Sequence, residues 1–231
     1  IPNWTWQEYG MRVGFWRIKA AFDRLGIRPT LSINASVIDV YPRIAEAARD
    51  AGWEFLPHTY HQMPMHLVDD ERDTIRRTID RIRDFTGIDP RGWLGPGLTE
   101  TFETADLLVE EGVEYVTDWL WDDEPTVLTT RAGPITNIPY SVELNDIAIM
   151  LLQNHRSAEL YDRTLDQFER LYDEGGERAK IMGFGIHPYI SGVPHRIKYF
   201  ERMMEQMASR PGVLFWSGAE ILDWYNAATA E

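Results

Sequence analysis

The chain has 231 residues, of which 44% are hydrophobic and 26% charged, and this is the composition of an ordinary globular protein. No apolar run approaches the roughly 20 residues of a transmembrane helix, so we expect no membrane span. Lysine and arginine number 23 against 37 aspartates and glutamates, which argues against the basic surface of a nucleic-acid-binding protein. The chain contains no cysteine, so disulfides, a thiolate nucleophile and cysteine zinc sites are excluded.

Long amphipathic stretches alternate with short apolar runs, a pattern typical of parallel α/β proteins. The pattern predicts helices over residues 11–25, 41–50, 69–85, 105–111, 158–172, 197–207 and 219–225. It predicts strands over residues 30–33, 53–56, 92–94, 115–117, 135–140, 181–186 and 213–216. No domain-sized insertion separates any two strands, so we expect one domain over residues 1–231, closed as a β/α barrel. The glycine motifs of dinucleotide and P-loop sites are absent from the sequence.

Polar residues that are capable of catalysis or ligand binding follow several predicted strands. In β/α barrels the chemistry lies at the carboxyl ends of the strands. The residues found directly or shortly after such strands are His58, Gly95, Asp118, Glu143 and His187. We therefore expect these five residues at one rim of the barrel.

Each of these residues also has an ordinary structural interpretation. A single histidine at a strand end is more often a hydrogen-bonded structural residue, and the segment around Gly95 and Pro96 is also a simple turn. Glu143 is also interpretable as a solvated loop acid. Two histidines at equivalent points of one rim favour a functional interpretation. Trp119 follows a strand end and an aspartate, which makes it a candidate pocket residue.

Four segments together resemble the polysaccharide deacetylase superfamily, in particular the branch that holds the deacetylase-type bacterial allantoinases and the cyclic imide hydrolases. The segments are Pro57-His58-Thr59-Tyr60, residues 91–97, residues 139–146 and His187-Pro188-Tyr189. The resemblance extends over residues 4–225. It implies a deformed (β/α) barrel that hydrolyses a non-peptide C–N bond of a small molecule, and it suggests a homotetramer.

The metal-binding pattern of the superfamily is only partly matched. Its metal-dependent members use an aspartate on the first strand and two histidines spaced i, i+4. His58 matches the first histidine, but the i+4 position is Gln62, and His61 lies at i+3, on the same face of a helical turn. The resemblance thus implies at most one divalent ion, with zinc expected, bound by His58 with help from Gln62 or His61. The strand that carries the aspartate either lies upstream of Ile1 or is missing from this chain.

The resemblance also implies roles for residues around the predicted site. His187 matches the histidine that acts as general acid on the leaving nitrogen. The catalytic set is His58, Glu143 and His187. The substrate-binding set is Arg91, Gly95, Pro96, Trp119 and Asn145, with Glu143 and Asn145 expected to hydrogen-bond the N–H and C=O groups of a ring.

Three functions remain open at this stage. The first is hydrolysis of a small cyclic amide, an imide or an allantoin-like ureide, because such substrates are activated and tolerate a weak metal site. The second is N-deacetylation of an amino sugar or glycan, which an open groove with exposed aromatic rings would favour. The third is a non-catalytic binding domain with a degenerate metal site, as Gln62 suggests. The acidic surface and the lack of a visible signal peptide lead us to expect a cytoplasmic enzyme, and the resemblance implies that it is a homo-oligomer.

Overall fold

The structure is a computed structural model that describes residues 2–230. The two ends of the expected domain, Ile1 and Glu231, lie outside the described residues. The chain divides into two compact units. The first unit comprises residues 1–27 and 140–215, and the second comprises residues 28–139 and 216–231. The expectation of a single domain stays a prediction.

Helices and strands alternate between residues 30 and 116, and most of the regular structure described on either side is helical. The α-helices are α1 (Pro2–Tyr9), α2 (Phe15–Leu25), α3 (Ser36–Val40), α4 (Pro42–Asp50), α5 (Glu71–Thr86), α6 (Thr104–Glu110), α7 (Ala158–Glu174), α8 (Ile197–Ala208) and α9 (Gly218–Thr229). The strands are β1 (Thr30–Ile33), β2 (Glu54–Pro57), β3 (Gly92–Trp93), β4 (Tyr115–Val116), β5 (Thr126–Thr129) and β6 (Pro134–Asn137). Within this described part, no helix is long and apolar enough to cross a membrane.

The α/β prediction is confirmed, and five of the seven predicted strands are present. The prediction is wrong for residues 181–186 and 213–216, which form no strand. In the first of these segments only Gly185 makes a bridge, to Asn145. Its partner segment contains the 3₁₀ turn Val142–Leu144, which interrupts the ladder. The hairpin strand β5 was not predicted. Closure of the strands into a barrel stays a prediction.

The second unit contains both sheets. Strands β1 and β2 pair in parallel, and the other sheet has the order β3-β4-β6-β5, with only β5 antiparallel. Because β3, β4 and β6 are parallel, their carboxyl ends lie along one edge of their sheet. A buried cluster forms the core between this sheet and helices α5 and α6; its members are Met65, Ile75, Ile79, Trp93, Leu108, Val113, Val116 and Ile135.

Local sequence signals explain where the helices of this unit begin and end. The carboxylate of Asp70 accepts a hydrogen bond from the Asp73 N–H at 2.9 Å and so caps α5. Gly87 ends this helix with a φ of 74°, a left-handed conformation that glycine adopts without steric cost. Helix α9 begins with a capping box between Ser217 and Glu220.

Tyr115 of β4 and the first residues of α9 share a hydrogen-bond partner, Glu54 of β2. The Tyr115 ring is fully buried, and its hydroxyl donates a hydrogen bond to Glu54 at 2.8 Å. The Glu54 carboxylate also accepts from the backbone N–H groups of Gly218 and Ala219, at 2.8 and 3.0 Å. Burial, together with the nearby Glu54 charge, raises the pKa of Tyr115 well above its usual value. The phenol therefore stays protonated and keeps donating to the carboxylate.

Replacing Gly92 with alanine should destabilise the second unit. A methyl group at Gly92 would lie 2.1–2.5 Å from ring carbons of the buried Tyr115, so the ring or the strand has to move. Overpacking of this kind costs about 1–3 kcal/mol, measurable as a lower urea midpoint. Gly176→Ala is the matched control, because its nearest neighbour is an ordinary 3.4 Å contact. Equal midpoints for both variants would contradict this packing.

In the first unit, a helix backbone packs directly on the segment that carries His187. Helices α1 and α2 are joined by the π-helical turn Gly10–Gly14. A methyl group at Gly14 would lie 2.0 Å from the Pro188 carbonyl oxygen, and one at Gly10 would lie 2.6 Å from the Tyr189 nitrogen. The two glycines therefore permit a contact that no side chain allows. On the same helices, Arg17 donates to the Gly192 carbonyl at 3.0 Å.

Candidate functional site

In the first unit, His187 contacts a buried carboxylate. Nδ1 of His187 lies 2.6 Å from Oδ1 of Asp146, whose side chain has no exposed surface. The backbone N–H of His187 and the hydroxyl of Ser191 donate to Oδ2 of Asp146 at 2.8 and 2.6 Å. An ionised carboxylate only accepts hydrogen bonds, so Nδ1 of the ring carries a hydrogen. Nε2 is then the ring atom available for proton exchange, and the side chain is 36% exposed.

A single turn of backbone presents these donors to Asp146. The N–H groups of Ile190 and Ser191 both donate to the His187 carbonyl at 2.9 Å, which winds the chain into a helical turn. This turn brings the Ser191 hydroxyl to the same side as the imidazole. The N–H of Asp146 donates to the Gly185 carbonyl at 3.0 Å, so both partners of the pair are fixed by backbone hydrogen bonds.

Aromatic rings flank the His187 side chain. The rings of His187 and Tyr189 are 6.1 Å apart, and Trp6 packs edge-on against Tyr189 at 5.2 Å. Burial, with a smaller contribution from the Asp146 charge, raises the pKa of Tyr189. Tyr189 therefore remains a neutral phenol beside the imidazole over the physiological pH range.

The structure places Glu143 and Asn145 differently from each other. Glu143 is exposed on the turn Val142–Leu144, and the buried acid of this segment is Asp146. Asn145 uses its side-chain amide inside the unit: Nδ2 donates to the Tyr140 hydroxyl at 2.7 Å, and Oδ1 accepts from the Ile147 N–H at 2.8 Å. These hydrogen bonds favour a structural role for Asn145. Substrate binding by either residue stays a prediction.

Asn145→Ala should lower the free energy of unfolding by about 1–3 kcal/mol, because it leaves two partly buried partners without their hydrogen bonds. Chemical denaturation of the full chain measures this change. Glu143→Gln on the same turn is the control and should stay within about 0.5 kcal/mol of wild type. An Asn145→Ala variant as stable as this control would contradict the structural role.

In the second unit, His58 follows β2, as predicted. Its Nδ1 lies 2.6 Å from the Leu94 carbonyl oxygen, and its backbone N–H donates to the Ile33 carbonyl at 3.1 Å. The next residue, Thr59, is fully buried and has a φ of 61°, which is unusual for a β-branched residue. Backbone strain of this kind is found at functional sites more often than elsewhere. The turn directs the chain away from the strand immediately after His58.

The expected metal ligands do not form a site. Gln62 and His61 are both exposed, and the ring of His61 packs edge-on against Tyr60 at 5.1 Å. Across residues 2–230, no group of three or more histidine, aspartate or glutamate side chains is arranged to hold a metal ion. Zinc ordinarily needs about three protein ligands. The described residues therefore do not fit the divalent-metal site expected at His58, His61 and Gln62.

A buried aspartate, Asp118, and a partly buried glutamate, Glu100, lie close to Gly95. The N–H of Gly95 donates to both carboxylate oxygens of Asp118, at 2.9 and 3.0 Å, and Asp118 is only 8% exposed. Burial raises the pKa of Glu100 to about 7, with the Glu71 charge adding to the effect. Burial and the neighbouring Glu100 raise the pKa of Asp118 well above its usual value. The pair therefore retains at least one proton near neutral pH.

Glu100 should make the stability of the chain depend on pH. Its pKa is higher in the folded state than in the unfolded state, so the folded state binds more protons between the two values. The free energy of unfolding should then fall as the pH rises from about 4.5 to about 7, by at most about 3 kcal/mol. Glu100→Gln should remove much of this slope, as measured by urea unfolding at several pH values. An unchanged slope would contradict the raised pKa.

The remaining substrate-binding candidates lie at both ends of the parallel strands in the second unit. Arg91 precedes β3, so it lies at the amino end of the strand, where its guanidinium pairs with Glu114 at 2.6 Å and Asp223 at 2.8 Å. These ion pairs favour a structural role for Arg91, and its role in substrate binding stays a prediction. Pro96 is buried and begins the 3₁₀ turn Pro96–Leu98 at the carboxyl end. Trp119 is 39% exposed.

Some predicted residues come together, and others do not. Within the second unit, the peptide that joins Leu94 to Gly95 links His58 to Asp118. Within the first unit, His187 meets Asp146 and Ser191. Sequence reasoning missed the roles of Asp146, Ser191 and Glu100. Only Asp146 had a sequence signal, since it ends the segment 139–146. The common rim of all five predicted residues stays a prediction.

The comparisons with known proteins agree with these motifs. The family described as Polysaccharide deacetylase matches residues 8–116. A Schizosaccharomyces pombe protein named as a candidate polysaccharide deacetylase is 26% identical over 243 residues, which cover 95% of this chain and 75% of that protein. Two solved structures are similar over 98% of this chain. One is a probable polysaccharide deacetylase from Pseudomonas aeruginosa, with a TM-score of 0.90, 28% identity and 77% of that chain covered. The other is an allantoinase, with a TM-score of 0.87, 29% identity and 76% covered.

The likeness to these structures confirms an α/β fold of the polysaccharide deacetylase type. The matched family segment includes His58, the residues around Gly95, and β4. These comparisons confirm the resemblance to the polysaccharide deacetylase superfamily that the sequence motifs indicated.

Proposed function

We propose that this chain is a hydrolase that opens a small cyclic amide, either a cyclic imide or an allantoin-like ureide. The family match and the allantoinase neighbour support a hydrolase of C–N bonds other than peptide bonds. The observation that carries the proposal is the His187–Asp146 pair, in which a fully buried carboxylate orients a partly exposed imidazole. This arrangement is typical of a residue that transfers protons during catalysis.

In the proposed reaction, His187 protonates the leaving nitrogen. Water attacks a ring carbonyl carbon, loses one proton to solvent and becomes the hydroxyl of the new carboxyl group. As the ring C–N bond breaks, the imidazolium donates its Nε2 proton to the nitrogen, and solvent later returns a proton to the ring. Asp146 holds Nδ1 throughout and stabilises the charged imidazolium.

The substrate class follows from the chemistry of the leaving group. A cyclic imide or ureide nitrogen leaves as a more stable anion than the nitrogen of an acetamide. Because the described residues do not fit a metal site, the proposal assigns no step to a metal. An activated ring amide is the substrate best matched to a site of this kind. A cytoplasmic homo-oligomer is part of the same proposal.

The purified protein should therefore hydrolyse succinimide, hydantoin or allantoin, and the reaction can be followed by loss of the ring absorbance or by chromatography of the opened product. Acetate release from an N-acetylated chitooligosaccharide, measured in parallel, tests the deacetylase alternative. Both assays are run with and without a chelator. Acetate release without any ring opening would overturn the proposal in favour of deacetylation.

One observation favours the glycan N-deacetylase alternative. Trp119 and Trp121 are 39% and 52% exposed in the second unit, with ring centroids 5.1 Å apart. Exposed indole rings of this kind offer apolar faces that combine with a polar edge. Absence of turnover on either substrate class would favour the third possibility, a non-catalytic binding domain.

A further inference from the structure

One peptide group in the second unit is held from both sides. The carbonyl of Leu94 accepts a hydrogen bond from Nδ1 of His58, with 2.6 Å between the heavy atoms. The N–H of the same peptide belongs to Gly95 and donates to both oxygens of Asp118, at 2.9 and 3.0 Å. A carbonyl oxygen cannot donate, so this contact requires the hydrogen of the His58 ring to be on Nδ1.

The backbone around Thr99, and not Asp118, requires the glycine at position 95. A methyl group at Gly95 would lie 2.6 Å from the Thr99 carbonyl oxygen and 3.5 Å from both carboxylate oxygens of Asp118. Glycine is therefore required here, but it also makes the peptide easy to rotate. The two hydrogen bonds to Asp118 oppose such a rotation and keep the Leu94 carbonyl directed at His58.

Glu100 makes the buried position of Asp118 tolerable. An unpaired buried carboxylate is costly, and two adjacent carboxyl groups relieve the cost by retaining a proton. The charged groups that act on the pair are its own members and Glu71, and the Trp119 side chain hydrogen-bonds Glu100. One oxygen of Glu100, Oε1, is buried without a hydrogen-bond partner in the described structure.

We propose that Asp118, paired with Glu100, is a positioning residue that clamps the Leu94–Gly95 peptide and thereby fixes the ring orientation and tautomer of His58. The inference rests on the proposed function only in treating His58 as part of the active site. The clamp itself is testable without any substrate.

The test is NMR of the full chain with ¹⁵N-labelled histidine near pH 8, where the neutral imidazole tautomers have distinct nitrogen shifts. The His58 signals are assigned by their loss in His58→Gln. Wild type should show His58 protonated on Nδ1. Asp118→Asn keeps an oxygen that accepts from Gly95, so it should retain this tautomer. Asp118→Ala removes the acceptor and should lower the ratio of the two tautomers by about tenfold, the value of one hydrogen bond.

The same spectra contain the control for folding. His187 in the first unit is held by Asp146, so its tautomer should not change in any Asp118 variant. A folded Asp118→Ala that keeps a single Nδ1-protonated His58 would overturn the clamp. If His58 in Asp118→Ala becomes a mixture of tautomers while ring opening continues at the wild-type rate, the clamp is supported and His58 has no role in catalysis.

A second measurement needs no variant. Because Asp118 accepts from Gly95, the Gly95 amide proton shift in wild type should follow the ionisation of the carboxyl pair, with a midpoint at about pH 7. In Glu100→Gln, which preserves the size of the side chain, the Gly95 amide proton shift should show no transition at this pH. A wild-type Gly95 shift that stays flat between about pH 5 and 9 would overturn the proposal even if Asp118→Ala fails to fold.

Discussion

His187→Ala should lower kcat for ring opening by about 10²–10⁴-fold, the usual contribution of a positioned general acid. The KM should change little, because the imidazole is expected to act on the leaving nitrogen and not to supply most of the binding energy. The variant should fold with a modestly lower melting temperature, since the ring is partly exposed but Oδ1 of the buried Asp146 loses its imidazole partner. Steady-state kinetics and thermal unfolding of the same preparation measure both effects.

The matched control is His155→Ala, which removes an exposed histidine from the same unit. It should retain wild-type kinetics and stability. A stable His187→Ala variant with wild-type kcat would remove His187 from the mechanism. A variant that melts early and yet turns over normally would show that the histidine is only structural.

Substitution of Asp146 should affect both stability and turnover. Asp146→Ala leaves three donors without an acceptor: two on His187 and the hydroxyl of Ser191. Each buried donor without a partner costs about 1–3 kcal/mol, so we expect the first unit to lose about 3–5 kcal/mol. Asp146→Asn has the same shape but turns one acceptor into a donor. It should fold, and we expect it to lose turnover by a factor similar to that for His187→Ala.

Asp162→Asn on α7 is the control for the loss of one negative charge, because Asp162 is exposed. It should have wild-type kinetics. Comparing the two asparagine variants by urea unfolding and by kcat separates the charge effect from the loss of orientation. Wild-type turnover of Asp146→Asn would mean that the buried carboxylate does not orient a catalytic imidazole.

The sequence predicted most helices and the better-defined strands because their signals are local. Strand β1 was predicted with its correct bounds, and the buried face of α5 follows from isoleucines at helical spacing. The segment 181–186 has apolar residues like a strand, but its conformation depends on distant neighbours. A methyl group at Gly185 would lie 2.3 Å from the Tyr140 hydroxyl and 2.8 Å from the Asn145 amide nitrogen. A local sequence pattern cannot predict such a contact between residues that are far apart in the chain.

The candidate site was predictable only in part, for a related reason. His58 and His187 follow short apolar runs, so their positions along the chain were informative. The partner of His187 is 41 residues away in sequence, and only the folded unit shows that it is Asp146 and not Glu143. Glu100 looks like an ordinary loop acid in the sequence, because its raised pKa comes from burial in the folded unit and from the Glu71 charge.

The π-helical turn Gly10–Gly14 determines the direction in which the side chains of α1 point relative to those of α2. A π turn contains one residue more than an α turn, so it is equivalent to a one-residue insertion in a regular helix. Deleting Val13 would restore α-helical spacing and rotate α1 by about 100° relative to α2. Trp6 would then leave the ring of Tyr189, against which it now packs at 5.2 Å. For this helix the number of residues, and not only their identity, determines which side chain faces the segment that carries His187.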